Sequence, residues 1–455
     1  MKRTNDLGRD PVFKLVCRLA IPTMLAQLVS VLYSIVDRIY IGNIQGIGDL
    51  ALAGVGVCGP IVTLLSSFAS LVGLGGSPIM AMRMGEGRKK EAGRVLSNCF
   101  LMLLVLSVAL TAVFLLSKGQ LLRWFGASEA TFGYADTYLT IYTAGTFFAL
   151  MATGMNSFLI AQGYSGLGMA TVMLGAVLNI VLDPVFIFAL HMDVAGAAIA
   201  TAFSNAASVV FFAVQYARLK GRTAVSFRPK YFTFRFIGPI FSVGLASALA
   251  TALGNASNMV MVHLASSYGD IPVAACGIVK RIDQFPLNVS MGLCQGFMPL
   301  VGYNYAARNY ERMRAVSYFS WKAALIFSAC CVACFAAFAP QILHLFIPEA
   351  ETSALGADFL RIACLAVPLT AVNFLISYTL QAMGKGVQSA VLTACRQGLL
   401  NIPLLILMNL TVGLYGMMWT QLVVEVIMLP VSLGMYRSTF RHLPPAERRF
   451  AGNRP

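Results

Sequence analysis

The chain has 455 residues, of which 58% are hydrophobic and only 11% are charged, and its formal net charge is +15. About a quarter of the residues of an ordinary soluble domain are charged, so this composition excludes a soluble protein and indicates an integral membrane protein. The positive charge does not indicate a nucleic-acid partner, because most Lys and Arg residues lie in the connections on one side of the predicted spans.

Apolar segments long enough to cross a hydrocarbon core of about 30 Å recur along the whole chain. With their Pro, Gly and charged flanks, they predict an all-α integral membrane protein of twelve transmembrane helices. Since the basic connections fall on one side, we expect a multi-pass protein of the cytoplasmic (inner) membrane with both termini in the cytoplasm. The predicted spans are residues 15–41, 50–82, 95–117, 135–161, 167–190, 194–217, 236–264, 272–303, 315–339, 356–383, 387–411 and 413–436.

The first predicted span carries a polar stripe on an otherwise apolar helix. Its members are three or four residues apart and therefore share one helix face. They are Thr23, Gln27, Ser30, Ser34 and Asp37. An ionisable side chain within a span costs roughly 2.5–3.5 kcal/mol to insert, so it normally faces protein or water and marks a functional site. The stripe therefore predicts a function for its carboxylate.

A second carboxylate, Asp183, lies in the fifth span, one helical turn after Asn179 and directly before Pro184. Thr201 in the sixth span and Asn156 in the fourth add further oxygen atoms. Carboxylate, amide and hydroxyl oxygens together would hold a proton or a small hard cation. Alternatively, the amide and hydroxyl groups only make packing hydrogen bonds between helices. The cost of burying a charge favours a functional role for the two aspartates.

The two halves of the chain resemble each other. A shift of 221 residues superposes Asp49 on Asp270 and Pro78 on Pro299, together with several glycines. Each half would contain six helices, an even number, so the two bundles would have parallel topology. The shift pairs Asp37 with an asparagine, Asn258, and so confines the acidic pair to the first half. The predicted domains are an N-terminal six-helix lobe (1–217), a basic cytoplasmic linker (218–235) and a C-terminal six-helix lobe with a short basic cytoplasmic tail (236–455).

The second half carries charges inside its predicted spans. Lys280, Arg281 and Asp283 lie in the eighth span, Arg396 in the eleventh and Glu425 in the twelfth. Basic groups at this depth would repel a cationic substrate, so we expect Lys280 and Arg281 to pair with Asp283 or Glu425 in a structural charge network. No enzyme is expected, because the sequence contains no HExxH, paired DxxD, Ser–His or Cys–His constellation.

Several of these segments together resemble the multidrug and toxic compound extrusion (MATE) family, in its bacterial MepA-like branch. They are Pro22, VDRIYIGN with Asp37, LNIVLDP, GAAIATAFSN and GLCQGFMPLVGYNYAA. The resemblance implies a V-shaped pair of bundles that alternate in access and act as an antiporter in multidrug (xenobiotic) efflux. It would export amphipathic organic cations in exchange for inward H⁺ or Na⁺, with no cofactor. It also implies that the first helix bends at Pro22. The cation-coupling site that it implies comprises Asp37, Asn156, Asn179, Asp183 and Thr201.

The exported molecule would occupy a cavity lined by polar, aromatic and methionine side chains. The candidates are Gln27, Ser30, Tyr33, Ser34, Met155, Asn205, Met259, Gln284 and Asn288. We expect a monomer whose partners are small organic cations and the lipid bilayer, with no metal other than Na⁺ at the coupling site. The alternative is a lipid-linked saccharide flippase of the same superfamily, whose cavity would carry cations for a pyrophosphate. The charges of the eighth and eleventh spans keep this alternative open.

Overall fold

The computed structural model describes residues 5–219, 232–346 and 349–443. Over these residues the secondary structure is entirely helical. Most of the predicted basic linker, and the C-terminal tail after residue 443, lie outside the described residues. The helices are α1 (Val12–Gly42), α2 (Gly48–Gly85), α3 (Lys89–Trp124), α4 (Glu129–Ala144), α5 (Thr146–Ala161), α6 (Ser165–Pro184), α7 (Asp193–Arg218), α8 (Ile237–Ser266), α9 (Asp270–Ala306), α10 (Tyr310–Phe346), α11 (Ala350–Cys364), α12 (Val367–Ala382), α13 (Gly386–Ala394), α14 (Asn401–Val412) and α15 (Leu414–Arg441).

Every predicted span coincides with one helix or with two consecutive ones. Within the described part of the chain, nine helical segments are long and apolar enough to cross a membrane. The count rises to eleven if the bent pairs α4–α5 (56°) and α11–α12 (43°) each cross once. The remaining predicted span is α9, which is long enough but contains Lys280, Arg281 and Asp283. The all-α membrane fold predicted from the sequence is confirmed.

The helix pattern repeats along the chain. Helix α3 begins at residue 89 and α10 at residue 310, which is 221 residues later, and α4 to α7 precede α11, α12, α13 and α15 by the same interval. The turns repeat as well, since Gly163 and Gly384 both have positive φ angles (87° and 75°). We call α1–α7 the N-lobe and α8–α15 the C-lobe.

The two lobes meet along α1, α2, α8 and α9, where glycines allow the helix backbones to approach closely. A Cβ atom on Gly244 of α8 would overlap the carbonyl of Leu71 on α2. A Cβ atom on Gly292 of α9 would lie 2.5 Å from the Cα of Met24 on α1. Beside this contact, the Thr23 hydroxyl donates a hydrogen bond to the Gly292 carbonyl at 2.6 Å. The α1–α9 and α2–α8 crossings therefore leave no room for side chains at these glycines.

The segment that precedes α1 closes one end of this interface. Arg312 on α10 donates from Nε to the Leu7 carbonyl at 3.3 Å, and Asn304 on α9 donates to the same carbonyl at 3.2 Å. On the other side, the Asn5 amide donates to the Gly163 carbonyl of the N-lobe at 2.8 Å. The segment therefore joins both lobes at the end that carries the basic connections.

Candidate functional site

Two carboxyl groups, from α1 and α6, meet inside the N-lobe. Asp37 and Asp183 lie within hydrogen-bonding reach of each other, and Asp183 is fully buried. Pro184 ends α6 directly after Asp183, and the chain continues in a π-helical turn, Val185–Ala189. Such turns within helices occur frequently at functional sites. The structure thus places side by side two acids that are almost 150 positions apart in the sequence.

Asn179 joins this acidic pair to α7. Its Nδ2 donates to Oδ1 of Asp183 at 3.2 Å and to the hydroxyl of Thr201 at 3.3 Å. The Thr201 hydroxyl donates in turn to the Ala197 carbonyl at 3.0 Å. Both amide protons of Asn179 are therefore used, which fixes its side chain so that Oδ1 remains an acceptor.

Three buried oxygen atoms around the acidic pair have no hydrogen-bond partner among the described residues. They are Oδ1 of Asp37, Oδ1 of Asn179 and Oδ2 of Asp183. An unsatisfied buried polar atom costs about 1–3 kcal/mol, so this arrangement is suited to bind protons or a cation. The same described residues contain no cluster of three or more His, Cys, Asp or Glu side chains that would hold a metal ion. A cation here would have two carboxylates and neutral oxygens as ligands.

Asn156, which was expected in this cluster, lies elsewhere. Its Oδ1 faces Gly168 of α6, at 3.0 Å from where a Cβ atom on that glycine would be. Gly168 precedes Asp183 by about four helical turns, or about 22 Å at 1.5 Å per residue. The sequence predicted correctly that Asn156 lies in a membrane helix. The depth of Asn156 along the bundle, however, depends on how α5 packs against α6. Asn156 therefore belongs to the cavity wall and not to the acidic cluster.

A cavity of about 310 Å³, here the N-chamber, opens beside the acidic cluster. Asn179 and Thr201 form part of its wall, whereas Asp37 and Asp183 lie behind them. Four of the predicted substrate-cavity residues line it. They are Gln27, Ser30, Tyr33 and Asn205. Ser34 is exposed on α1 and Met155 is buried in the N-lobe core, and neither lines the chamber.

A second cavity of about 670 Å³, here the C-chamber, adjoins the first in the C-lobe. Both chambers have Ser70, Leu74, Met291 and Gln295 in their walls. Between the lobes, the Gln27 amide donates to the Gln295 amide oxygen at 3.1 Å. The two chambers are therefore parts of one cavity that spans the lobe interface.

Only one of the three predicted cavity residues from the C-lobe lines this chamber. Gln284 is part of its wall, whereas Met259 is 52% exposed elsewhere on α8. Asn288 turns back onto its own helix and donates to the Gln284 carbonyl at 2.7 Å. Gln284 and Asn288 share one helix face, so the sequence predicted that both line the cavity. The hydrogen bond of Asn288 to its own helix turns its side chain away from the cavity wall.

The C-lobe also contains a buried carboxylate, but this one is compensated. Glu425 of α15 is fully buried, and its Oε1 lies 3.2 Å from Nε of Arg396. Arg396 is itself buried in the π-helical turn that follows α13, with its guanidinium 4.3 Å from the centre of the Phe374 ring. Glu425 accepts two further hydrogen bonds, from Asn373 at 2.6 Å and Gln421 at 2.8 Å.

The ion pairs expected for Lys280 and Arg281 are not formed. Among the described residues, neither side chain lies within ion-pair distance of an acid, although both line the C-chamber beside Asp283. Glu425 cannot serve as their partner because Arg396 and two amides enclose it. Of the expected network, the described part of the chain forms the Arg396–Glu425 ion pair and no other.

Pro22 lies inside α1 as expected. The sequence did not indicate which residue compensates for the hydrogen bond that this proline removes. Because proline has no N–H, the Arg18 carbonyl four residues earlier lacks its helical donor. The hydroxyl of Ser165, the first residue of α6, donates to that carbonyl at 2.8 Å. Ser165 is buried and thus stabilises the proline-containing turn of α1 from the neighbouring helix.

We expect the effects of Ser165→Ala and Pro22→Ala on stability to be coupled. Alone, Ser165→Ala should lower the free energy of unfolding by about 0.5–1.5 kcal/mol, because the partly buried Arg18 carbonyl loses its donor. Pro22→Ala supplies a backbone N–H for that carbonyl, so in its background the cost of Ser165→Ala should become small. Unfolding of the wild type, both single variants and the double variant measures the coupling.

The control for this cycle is Ser389→Ala. Ser389 is also a buried hydroxyl near the start of a helix, and it donates to the Ser377 carbonyl at 2.9 Å. Its cost should be the same with Pro22 or with alanine at that position. If Ser165→Ala also costs the same in both backgrounds, Ser165 does not satisfy the carbonyl that Pro22 leaves free.

Known proteins share both the sequence and the fold of this chain. The family model MatE matches residues 22–185 and 246–407. The chain is 29% identical to the multidrug export protein MepA of Staphylococcus haemolyticus (strain JCSC1435) over 418 residues, which cover 91% of each chain. It superposes with a TM-score of 0.90 on a crystal structure of MATE in the straight conformation, at 27% identity over 97% of this chain and 99% of the other. The values are the same for a multidrug resistance MATE family transporter in an outward-facing conformation.

Proposed function

We infer the function from the premise that this chain belongs to the MatE family, whose model matches most of its length. We propose that it is a multidrug efflux antiporter that exports amphipathic organic cations in exchange for inward H⁺ or Na⁺. The observation that carries the proposal is the adjacent pair of Asp37, which is half-buried, and Asp183, which is fully buried. Among the described residues, no basic group lies within ion-pair distance of either carboxylate. Glu425, in contrast, is paired with Arg396.

The acidic pair is suited to bind the coupling ion. Two adjacent carboxyl groups in an interior of low dielectric constant cannot both be ionised without a large cost in free energy. A proton shared between them, or a small cation held by Asp37, Asp183 and the free oxygen of Asn179, removes that cost. Oxygen ligands suit a hard cation, so the geometry is compatible with either coupling ion.

Exchange follows from electrostatic competition between the ion and the substrate. Asn179 and Thr201 separate the acidic pair from the N-chamber, so a positive charge in that chamber lies close to the pair. Binding of H⁺ or Na⁺ neutralises the pair and removes its attraction for the organic cation. A membrane potential of 100 mV supplies about 2.3 kcal/mol per charge, and each pH unit supplies about 1.4 kcal/mol.

We propose that the structure is the outward-facing state of a two-lobe transporter. The segment before α1 joins the lobes at the end with the basic connections, which the positive-inside rule assigns to the cytoplasm together with both termini. Helix α1 carries the inter-lobe contact at Thr23, the proline at position 22 and the acid at position 37. A bend of α1 at Pro22 would thus couple ion binding to the lobe contact. No second chain is needed to complete the cavity, so we propose a monomer.

Ligand binding to the purified protein tests this proposal. Tetraphenylphosphonium, a lipophilic organic cation, should bind to the wild type in detergent and release protons into a weakly buffered solution or compete with Na⁺. The variant Asp37→Asn/Asp183→Asn should bind it weakly, with neither effect. Binding without proton release and without dependence on Na⁺ contradicts the proposal. Preferential binding of undecaprenyl pyrophosphate instead supports the flippase, the second candidate, for which Lys280 and Arg281 of the C-chamber would supply the positive charges.

A further inference from the structure

The two chambers differ in the sign of their uncompensated charge. The acids of the N-lobe lie behind the N-chamber, whereas the wall of the C-chamber carries Lys280 and Arg281. Lys280 is half-buried and Arg281 is exposed to the cavity, and neither has a hydrogen-bond or ion-pair partner in the described part of the chain. Both side chains reach the open space of the cavity, so their ammonium and guanidinium groups are available to an anion that enters it.

Neutral donors line the same chamber as these basic groups. Asn255 and Asn258 of α8, and Gln397 from the π-helical turn after α13, line the same chamber. Amide N–H groups together with ammonium and guanidinium groups are the donors that bind a carboxylate most strongly. At about 670 Å³, the C-chamber is large enough for a substantial part of a drug-sized molecule.

The charge balance of the wall selects the kind of anion. Asp283 faces the same chamber and offsets one of the two positive charges. Arg396 adds none, because it is buried against Glu425. The wall therefore carries a net charge of about +1, which suits one carboxylate better than the several negative charges of a pyrophosphate.

We propose that Lys280 and Arg281 form an anion-binding subsite that takes the carboxylate of a zwitterionic amphiphile. The cationic group of the same molecule lies in the N-chamber, where the field of Asp37 and Asp183 is strongest. The subsite rests on the proposed function and assigns recognition of a substrate's negative end to these two residues. The two adjoining chambers then bind opposite ends of one substrate.

A matched pair of dyes tests the subsite. Rhodamine 123 and rhodamine 110 have the same cationic ring system, but the carboxyl group is a methyl ester in the first and free in the second. Fluorescence polarisation with the purified full chain measures the affinity for each. In Lys280→Gln/Arg281→Gln, the affinity for rhodamine 110 should fall about tenfold or more, because the carboxylate loses its charged donors. The affinity for rhodamine 123 should stay constant or rise.

Two further variants keep the test decisive. Lys280→Arg/Arg281→Lys retains both charges and should bind both dyes as the wild type does. Arg361→Gln removes an exposed charge, 3.4 Å from Asp358 and outside the chamber, and should change neither affinity. A wild type that does not bind rhodamine 110, or an equal loss of both dyes in the glutamine variant, overturns the subsite. A failure of the proposed function would give a different result: the variants of Asp37 and Asp183 would bind rhodamine 123 as tightly as the wild type.

Discussion

Asp37→Asn and Asp183→Asn should each reduce ion-coupled efflux of an organic cation about 100-fold, the upper range of coupling between two sites. Asparagine has nearly the same volume as aspartate but neither binds a proton at neutral pH nor attracts a cation by its charge. The buried cluster should therefore stay folded while its coupling is lost. Drug resistance of cells that produce each variant, with efflux of rhodamine 123 from the same cells, measures the effect.

Asp358→Asn is the matched control for these variants. It makes the same chemical change on the exposed surface of α11, where Asp358 pairs with Arg361. Exposed ion pairs contribute little, so resistance and efflux should remain at the wild-type level. If Asp37→Asn and Asp183→Asn also preserve resistance at normal protein levels, the acidic pair is not the coupling site.

Arg396→Leu should lower the free energy of unfolding by about 3–5 kcal/mol, because it leaves the Glu425 carboxylate buried without its positive partner. Glu425 is completely buried and Arg396 almost so, hence water cannot replace the lost partner. The double variant Arg396→Leu/Glu425→Leu removes both charges and should recover most of this loss. Unfolding of the purified single and double variants in detergent measures both effects.

Arg361→Leu serves as the control, since it removes an exposed arginine and should change the stability by less than about 1 kcal/mol. A double variant that is as unstable as Arg396→Leu would show that lost packing on Phe374, and not the unpaired charge, causes the loss. Transport by the double variant, if stable, should retain its dependence on the coupling ion, because the acidic pair of the N-lobe is intact.

The two lobes share a repeated scaffold but differ in the partners of the carboxylates inside their bundles. In the C-lobe, Glu425 has an arginine and two amides as partners. In the N-lobe, the described residues offer Asp37 and Asp183 one amide donor, from Asn179, and leave one oxygen of each carboxylate without a partner. We infer that the C-lobe pair stabilises its bundle, whereas the N-lobe pair exchanges ions.

Most of the fold follows from the sequence, because the length of the apolar segments and the 221-residue repeat are local, countable signals. The sequence also indicated that Asp37 and Asp183 belong to one site, because each acid lies on a polar face of an otherwise apolar helix. Helical periodicity assigns a residue to a face. It does not give the depth at which that face meets its neighbour, and Asn156 lies away from the acids for this reason.

The remaining differences arise from tertiary contacts. Lys280 and Arg281 were expected to pair because a charge in a span needs compensation, but at these positions the helix borders a cavity. Ser165 is one of many serines, and nothing in the sequence distinguishes it. The packing of α6 against α1 brings its hydroxyl to the Arg18 carbonyl, which Pro22 leaves without a helical donor. The π-helical turns break the repeat, since they begin at residues 185 and 395 and not 221 residues apart.

Efflux from vesicles that contain the purified chain tests the central claim most directly. Rhodamine 123 is loaded, and an inward H⁺ gradient or an inward Na⁺ gradient is imposed separately, with and without a membrane potential. We predict that the wild type moves the dye against its concentration gradient under at least one ion gradient, and that Asp37→Asn does not. Movement of the dye by the wild type only down its own gradient, whichever ion gradient is imposed, would contradict an ion-coupled exporter.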